Sequence, residues 1–530
     1  MTESMTLAVA KRYLRLPVKN DAPMRRVHVW LGGDEVRAFD IELAEGDADF
    51  WVSCDLGPWL GEEVTVTIDG VEDPHALLAQ ATLSDAPVDV EGLYREPLRP
   101  QFHFSSQRGW INDPNGLVYY RRTYHLYYQH NPYGWKWGNM HWGHAVSRDL
   151  VHWEELGDAL YPDALGTMFS GSAVVDWSNT AGFQTGDHPP IVAMYTAAGE
   201  PFTQCLAYSN DEGRTLEKVA GNPVLGHIVG GNRDPKVIWH VQSQQWVMAL
   251  FLDGHEYALF ASPDLKSWRE LQRLTRGEDW ECPDFFPLAV DGDPGNVRWL
   301  FWGAEGYYQL GEFDGETYTP GDELLRYAWG GNAYAAQTYS DMCATDGRRV
   351  QIAWMRTTMP GMPFNGCMAF PCEMSLRTTP EGIRLYSLPV REIETLHRRG
   401  HHWEDLALPT GGVTLEGVEG ELFDIRATIA LGAASQVGLT ILGVPVTYDV
   451  ASATLTCEGR SAPLPLANGA IKLQILVDRT SVEIFGNDGA IALPLGVVPP
   501  GADVPLRLSA EGEGAVVKAL DVFELASIWE

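Results

Sequence analysis

Three acidic residues in this sequence stand in local contexts that suit catalysis, and the first of them is Asp113 in the run WINDPNG. Pro114 biases Asp113 towards an extended backbone, and the Asn-Gly pair that follows predicts a turn. A carboxylate held at the stiff end of a strand suits a nucleophile. The same pattern also fits an aspartate that only caps a loop, so this run is not decisive by itself.

The other two acids also have distinctive neighbours. Asp234 precedes a proline and follows Arg233, whose guanidinium can pair with a carboxylate or donate hydrogen bonds to sugar hydroxyls. A surface ion pair is the alternative interpretation. Glu281 stands between a tryptophan and a cysteine, which favours a poorly solvated carboxyl group and therefore a candidate general acid. The alternatives here are a strand glutamate that faces solvent, or Asp284 as the important acid.

A weak internal repeat predicts the element that positions these acids. Its copies begin at Ser147, Ser209 and Ser262 and share the pattern Ser-x-Asp. Their intervals of roughly 50–60 residues suit a four-stranded propeller blade. We expect the aspartate to bond backbone N–H groups in a turn, and the tryptophans in the first and third copies to pack between blades. Residues 98–395 then hold about five blades, and acids on the innermost strands converge on one funnel.

Two further zones flank the predicted propeller. Residues 1–97 hold short alternating segments separated by turn signals, which predicts a small β domain that ends in a linker at 73–97. Residues 396–530 alternate in the manner of a β-sandwich. A short helix is expected at 393–400, and residues 427–448 are interpreted as two strands and a turn. The predicted fold class is therefore all-β in three parts.

Composition restricts the possible partners. The chain has 38 Lys and Arg against 71 Asp and Glu, a net charge of −33, which argues against nucleic acid and anionic membranes. Seven cysteines without a CxxC pair argue against a disulfide scaffold or a zinc ribbon. The N-terminal run has no apolar stretch long enough for a signal peptide, so a cytoplasmic location is expected unless a leader precedes this sequence.

Longer runs of the sequence resemble glycoside hydrolase family 32, the β-fructosidases. The resemblance covers the chain from about residue 98 to its end and rests on FHFSSQRGWINDPNGLVYY, FSGSA, RDPKV, WECPDFF, YAAQTYSD and DRTSVEIFGNDG. It implies a five-bladed β-propeller followed by a β-sandwich. The N-terminal zone resembles the extra β domain that some bacterial members carry.

The resemblance also implies roles for individual residues. Asp113 matches the family's nucleophile, Glu281 its acid/base and Asp234 its transition-state stabiliser. The positions that match the family's fructose-binding subsite are Asn112, Gln129, Trp137, Phe169, Ser170, Arg233 and Trp354. Polar members of this set suit furanose hydroxyls, and aromatic members suit the apolar face of the sugar.

The leading hypothesis is a retaining exo-β-fructosidase that acts on levan, inulin, fructo-oligosaccharides and sucrose. Its mechanism needs neither a metal nor an organic cofactor. The alternatives within the family are a sucrose-preferring invertase and a fructosyltransferase in which a sugar replaces water. A five-bladed glycosidase acting on arabinofuranosides or xylosides is disfavoured by the NDPNG and EC motifs. A non-catalytic glycan-binding protein is disfavoured by intact acids at all three positions. The oligomeric state stays open.

Overall fold

The computed structural model of the protein describes residues 4–71, 74–87, 91–342, 346–501 and 504–529. Within these ranges the regular structure is almost entirely β-strand, which confirms the predicted fold class. The helical pieces in the same ranges are α1 (Pro74–Leu77) and two 3₁₀ turns, Gly57–Trp59 and Arg391–Leu396. The short helix expected at 393–400 is therefore partly wrong: the 3₁₀ turn ends at Leu396 and a strand begins at the next residue.

The N-terminal part folds into two small sheets around a common core. Its strands are β1 (Met5–Ala8), β2 (Tyr13–Val18), β3 (Arg25–Leu31), β4 (Asp34–Ile41), β5 (Phe50–Asp55), β6 (Glu63–Ile68) and β7 (Thr82–Ser84). Their order in the described residues is β1-β6-β3-β4 in one sheet and β5-β2-β7 in the other. The alternating segments bury one face, as Val27 and Val29 do in β3.

The predicted linker at 73–97 is only partly correct. Residues 73 and 88–90 lie outside the described residues, and the remainder contains α1 and β7. β7 pairs with β2 from Tyr13 to Arg15, so this stretch completes a sheet although its sequence shows little alternation. The domain boundaries after residues 97 and 395 stay predictions.

The middle of the chain forms a β-propeller of five four-stranded blades. Blade I comprises β8 (Gly109–Tyr120), β9 (Thr123–Asn131), β10 (His141–Ser147) and β11 (Trp153–Leu160). Blade II comprises β12 (Thr167–Val175), β13 (Ile191–Ala198), β14 (Thr203–Ser209) and β15 (Glu217–Lys218). Blade III comprises β16 (Arg233–His240), β17 (Gln245–Asp253), β18 (Glu256–Ser262) and β19 (Arg269–Thr275).

The last two blades close the ring. Blade IV comprises β20 (Asp284–Val290), β21 (Asp293–Trp302), β22 (Tyr307–Phe313) and β23 (Tyr318–Arg326). Blade V comprises β24 (Ala333–Thr338), β25 (Arg349–Met355), β28 (Cys372–Thr379) and β29 (Gly382–Pro389), with short segments β26 (Phe364–Asn365) and β27 (Cys367–Met368). β26 pairs in parallel with the start of β8 and so links the end of the propeller back to its beginning.

The Ser-x-Asp repeat marks the turn between the third and fourth strands of blades I to III. Asp149 accepts the backbone N–H groups of Val151 and His152 at 3.0 and 2.8 Å. Asp211 and Asp264 accept backbone N–H groups in the same manner. Each aspartate therefore satisfies donors that a tight turn leaves free, as the repeat predicts.

Four of the five innermost strands carry a β-bulge near their first residues. The register shifts fall between Ile111 and Pro114, Phe169 and Gly171, Arg233 and Lys236, and Tyr334 and Gln337. A bulge takes residues out of the regular ladder and re-aims their side chains. The bulges in β8, β12 and β16 contain Asp113, Ser170 and Asp234, so the same irregularity orients side chains from three different blades.

The C-terminal part is a sandwich of two antiparallel sheets. Its strands are β30 (His397–Ala407), β31 (Val413–Thr414), β32 (Phe423–Ala430), β33 (Gln436–Ile441), β34 (Val444–Asp449), β35 (Thr454–Cys457), β36 (Arg460–Pro463), β37 (Ala470–Asp478), β38 (Ser481–Gly486), β39 (Ile491–Gly496), β40 (Arg507–Glu511) and β41 (Val516–Leu525). Their order in the described residues is β30-β41-β32-β37-β38-β39 and β31-β40-β33-β34-β35-β36. The interpretation of residues 427–448 as two strands and a turn is wrong. This range spans parts of three strands, because Leu442 and Gly443 form a second, two-residue turn.

A buried histidine joins the propeller to the sandwich. His103 lies just before blade I, and its two ring nitrogens are 2.8 Å from carboxylate oxygens of Asp478 and Glu483. Asp478 also accepts the backbone N–H groups of Gln101 and Phe102. Burial alone lowers the pKa of His103, but the hydrogen bonds to the two carboxylates outweigh it and raise the pKa to about 9.

We predict that this contact stabilises the fold below neutral pH and weakens in alkali. Because the pKa of His103 is higher in the folded chain than in the unfolded one, its contribution is complete below about pH 6.5 and is lost as pH rises through 9. The free energy of unfolding measured in urea should be roughly 2–4 kcal/mol lower for His103→Gln than for wild type at pH 6, and the difference should be much smaller at pH 10. The exposed His188→Gln serves as the control, and a difference that stays constant with pH would contradict the assignment.

Candidate active site

Asp113 lies in the bulge of β8, with its carboxylate inside the propeller funnel. Ser170 of blade II donates its hydroxyl to Asp113 Oδ2 at 2.7 Å, and the Cys282 thiol lies 3.5 Å from the same oxygen. Burial raises the pKa of Asp113, and the hydrogen bonds from Ser170, Asn112 and Cys282 act in the opposite direction. The site therefore supplies donors that favour the ionised form of a buried carboxyl.

Asp234 lies in the bulge of β16 and has a left-handed backbone with φ of 65°. Its own N–H donates to Thr196 Oγ1 at 3.0 Å, which ties this strained residue to blade II. The N–H of Cys282 donates to Asp234 Oδ2 at 3.1 Å. Burial raises the pKa of Asp234 to about 7; Arg233 opposes this shift, and the carboxylates of Glu281 and Asp113 add to it.

Glu281 lies in the loop before blade IV. Both Glu281 and Cys282 have a left-handed backbone, with φ of 50° and 38°. Arg233 donates to Oε1 of Glu281, and the hydroxyl of Tyr334 donates to Oε2. The Glu281 side chain is nevertheless 32% exposed, and Trp280 faces largely outward beside His255. The expectation of a poorly solvated carboxyl is therefore wrong, because the neighbouring tryptophan does not cover it.

Cys282 connects two of the acids. Its Sγ lies 3.5 Å from both Asp113 Oδ2 and Asp234 Oδ2, so the two carboxylates face one thiol. Burial and the surrounding carboxylates raise the pKa of the Cys282 thiol well above its ordinary value. The sulfur consequently keeps its proton and acts as a hydrogen-bond donor between two acids.

Arg233 is the cation that these acids share. Its Nη2 donates to Glu281, its Nη1 donates to the carbonyl of Gly231 at 2.7 Å, and its Nε lies 3.6 Å from Asp234 Oδ2. The guanidinium also lies over the ring of Phe251, 4.7 Å from its centroid. A surface ion pair, the alternative for the Arg233–Asp234 pair, is therefore wrong, because Asp234 is buried. The hydrogen bond from Arg233 to Glu281 links blade III to the loop before blade IV.

Asp284, the alternative acid, has a structural position. It is fully buried, accepts the backbone N–H of Thr338 at 2.6 Å and lies 3.2 Å from the ammonium of Lys236. These contacts join blades III, IV and V. A carboxylate committed in this way has no access to a substrate, so Glu281 is the better candidate for the acid.

The residues matched to a fructose subsite lie around the same funnel. Asn112 accepts the indole N–H of Trp110 at 2.9 Å, and Gln129 donates to the Met168 carbonyl at 2.7 Å, next to Phe169 and Ser170 in β12. Gln129 is thus buried behind Ser170, and its amide nitrogen already has a partner. Asn112 and Ser170 flank the Asp113 carboxylate.

Aromatic rings form two sides of the funnel. Trp137 meets Phe169 edge to face at 5.9 Å, and Phe169 meets Phe202 in the same manner at 5.4 Å. In a second group, the indole of Trp354 packs edge-on against Trp110 at 5.7 Å. Aromatic faces beside a cluster of polar groups are typical of carbohydrate sites.

Sequence reasoning missed two contributors to the site. Tyr334 belongs to the YAAQTYSD run, but nothing local indicated that its hydroxyl reaches Glu281 across 53 positions of the chain. Thr196 had no signal either, because its role depends on the pairing of blades II and III. Both contacts depend on how the blades meet.

An all-β protein whose carboxyl groups converge from several propeller blades around sugar-type aromatic walls has the site of a glycoside hydrolase. The sequence model of the Glycosyl hydrolases family 32 N-terminal domain matches residues 103–389, and that of the family's C terminal matches residues 392–529. The chain therefore belongs to glycoside hydrolase family 32 and is a β-fructosidase. Residues 1–102 lie outside both models.

Known relatives agree with this assignment. A levanase of Bacillus subtilis is 39% identical over 502 residues, which cover 86% of this chain and 74% of the levanase. An extracellular exo-inulinase of Aspergillus awamori is 32% identical, covering 82% of this chain and 96% of the relative. The crystal structure of that exo-inulinase superposes with a TM-score of 0.75 at 31% identity, covering 82% of this chain and all of the other.

A fructofuranosidase of Schwanniomyces occidentalis, complexed with fructosylnystose, superposes with a TM-score of 0.74 at 25% identity, covering 83% of this chain and all of the other. In the described ranges of our chain, no helix is long and apolar enough to cross a membrane. The same ranges contain no group of three His, Cys, Asp or Glu residues that could hold a metal ion.

We predict that Asp234 lowers the stability of the folded protein at neutral pH. Its pKa is raised on folding, so the folded chain loses stability as pH rises from about 4 through 7, where Asp234 ionises. At pH 8 the free energy of unfolding measured in urea should therefore be roughly 2–4 kcal/mol higher for Asp234→Asn than for wild type. At pH 4 the two proteins should have the same free energy of unfolding. Asp187→Asn, an exposed change, is the control; a variant less stable than wild type at pH 8 would contradict the shift.

Proposed function

We propose that the protein is a retaining exo-β-fructosidase that removes terminal non-reducing β-D-fructofuranosyl residues from levan, inulin, fructo-oligosaccharides and sucrose. The observation that carries this proposal is the convergence of Asp113, Asp234 and Glu281 on one funnel through Cys282 and Arg233. The names of the relatives, a levanase and an exo-inulinase, support the substrate class.

In the first half of the proposed reaction, Asp113 attacks the anomeric C2 of the terminal fructose. Glu281 donates its proton to the leaving oxygen, and a covalent fructosyl ester of Asp113 forms. The donors Ser170 and Cys282 stabilise the ionised form of the attacking carboxylate and so oppose the rise in its pKa that burial causes. Arg233 and Tyr334 hold the two oxygens of Glu281, so its proton is presented in a fixed direction.

In the second half, Glu281 takes a proton from water, which attacks C2 and releases fructose and the free Asp113 carboxylate. The partial exposure of Glu281 supports this step, because the incoming water needs a path to it. Asp234 bonds fructose hydroxyls in this scheme. The negative charge of Asp234 stabilises each transition state more than the bound substrate, because positive charge develops on the ring there.

The role of Glu281 predicts a dependence on the leaving group. Glu281→Gln should slow the first step on sucrose by about 100-fold or more, since general acid catalysis supplies at least that factor. A fructoside with an acidic phenol needs little protonation and should lose much less. Asp113→Asn is the control, because loss of the nucleophile should slow both substrates by several orders of magnitude. Equal losses on both substrates for Glu281→Gln, measured in the pre-steady state, would exclude it as the acid.

The subsite also predicts attack from chain ends. Asn112, Ser170, Arg233 and Asp234 offer hydrogen-bonding groups around one ring, and an internal fructose has one of its hydroxyls already in a glycosidic bond. Each buried polar group left unpaired costs about 1–3 kcal/mol. Because a hydroxyl both donates and accepts, its loss can leave two such groups unpaired, which suppresses internal cleavage roughly 100-fold or more. Chromatography of the first few per cent of levan or inulin hydrolysis should therefore yield fructose alone, whereas early di- to hexasaccharides would indicate an endo-acting enzyme.

A further inference from the structure

The segment that carries Trp137 is held by the N-terminal domain. Residues 132–139 lie in the connection between β9 and β10 of blade I, yet Tyr133 is buried in the core of the N-terminal sheets. Its ring stacks on Phe39 with centroids 3.8 Å apart, and its hydroxyl lies 3.7 Å from the sulfur of Cys54. Trp135 packs against the same core. A propeller loop therefore contributes one aromatic ring to the core of another domain and packs a second ring against that core.

Polar contacts from the N-terminal domain hold the segment on both sides of Trp137. On one side, the ammonium of Lys136 is 2.8 Å from carboxylate oxygens of both Asp21 and Glu42. On the other side, the Asn139 side chain accepts the backbone N–H of Asp40 at 2.8 Å and donates to its carbonyl at 2.7 Å. The amide of Asn139 thus pairs with the edge of strand β4 as a neighbouring backbone would.

Contacts within the propeller complete the support. Asn131 donates to the Lys136 carbonyl at 2.7 Å and accepts the N–H of Tyr133 at 3.0 Å, while Asn365 donates to the Trp135 carbonyl at 3.2 Å. Trp137 itself is 58% exposed and meets Phe169 only with an edge. Its position is therefore set by the backbone on either side of it and not by burial of its own ring.

We infer that the N-terminal β domain is a positioning element of the active site. Through Lys136 and Asn139 it holds the indole of Trp137 at the edge of the funnel, where the ring meets the terminal fructosyl unit of the substrate. The inference rests on the proposed function in one respect, namely that Trp137 contacts the sugar. It assigns a task to residues 1–102, which lie outside both family models.

The expected kinetic signature follows from where Trp137 lies. An aromatic ring packed on the sugar face contacts the bound substrate and the transition state alike, so loss of its position raises KM and leaves kcat nearly unchanged. Ordering a loosened segment at the moment of binding also weakens binding, because the entropy cost then falls on the complex.

The test is the double variant Lys136→Met with Asn139→Ala. We expect KM for sucrose and for inulin to rise about 5–10-fold with kcat within twofold, in the range of coupling between residues in contact. Lys19→Met is the matched control. Lys19 pairs with Asp49 within the N-terminal domain, and its side chain is about as exposed as that of Lys136, so its variant should behave as wild type. Lys136→Met alone should give a smaller rise in KM, and it serves where the double variant fails to fold.

A Trp137→Ala background separates positioning from general destabilisation. If Lys136 and Asn139 act through Trp137, the double change should add less than twofold to the KM of Trp137→Ala. A further fivefold rise in that background, or an unchanged KM in the double variant, would overturn the inference and leave the domain a role in stability alone.

Hydrogen exchange keeps the inference distinct from the proposed function. Backbone amides in 132–139 should exchange faster in the double variant than in wild type and Lys19→Met, whatever the substrate is. Wild type that releases no fructose would refute the proposed function, and unchanged exchange in the double variant would refute the positioning of this segment.

Discussion

The guanidinium of Arg233 lies between two carboxyl groups, Asp234 and Glu281, that would otherwise repel each other. It donates to Glu281 and lies 3.6 Å from Asp234, while Asp113 depends on neutral donors from Ser170 and Cys282. One cation for three acids leaves the site short of positive charge, and the pKa values of Asp113 and Asp234 are raised. A site of this kind favours a substrate that becomes positively charged as it reacts.

The backbone accepts strain to hold these groups together. Asp234, Glu281 and Cys282 all adopt left-handed conformations, which cost a non-glycine residue roughly 1–2 kcal/mol each. The bulges of β8, β12 and β16 add departures from the regular ladder. Packing within and between the blades offsets the cost of the left-handed residues and of the bulges, since the innermost strands cannot relax without disturbing their neighbours. A strained backbone and a raised pKa therefore coincide at Asp234, one of the residues that we assign to the reaction.

The domains on either side of the propeller both contact blade I and the segments next to it. The sandwich holds His103 between two buried carboxylates just before β8, and the N-terminal domain holds the segment between β9 and β10. The first contact stabilises the start of the propeller. The second reaches the edge of the funnel through Trp137. Stability and substrate contact are thus distributed over all three parts of the chain.

The sequence by itself determined the fold class and the five-bladed count, and it singled out the three acids as candidates. It did so because turn residues, strand alternation and the motifs around Asp113, Asp234 and Glu281 are local patterns, readable over a few positions. The Ser-x-Asp turns are correct for the same reason, since Asp149 bonds residues only two and three positions away.

Only the tertiary structure decided which neighbours those acids have. The Tyr334 hydroxyl on Glu281, the exposure of Trp280 and the structural position of Asp284 all depend on how separate blades meet. β7 was missed because its pairing with β2, and not its own sequence, makes it a strand. The N-terminal domain holds the segment around Trp137 partly through hydrogen bonds between Asn139 and Asp40, which are 99 positions apart in the chain. Contacts at such separation leave no periodic signal in the chain, because they are made by surfaces that exist only after each domain has folded.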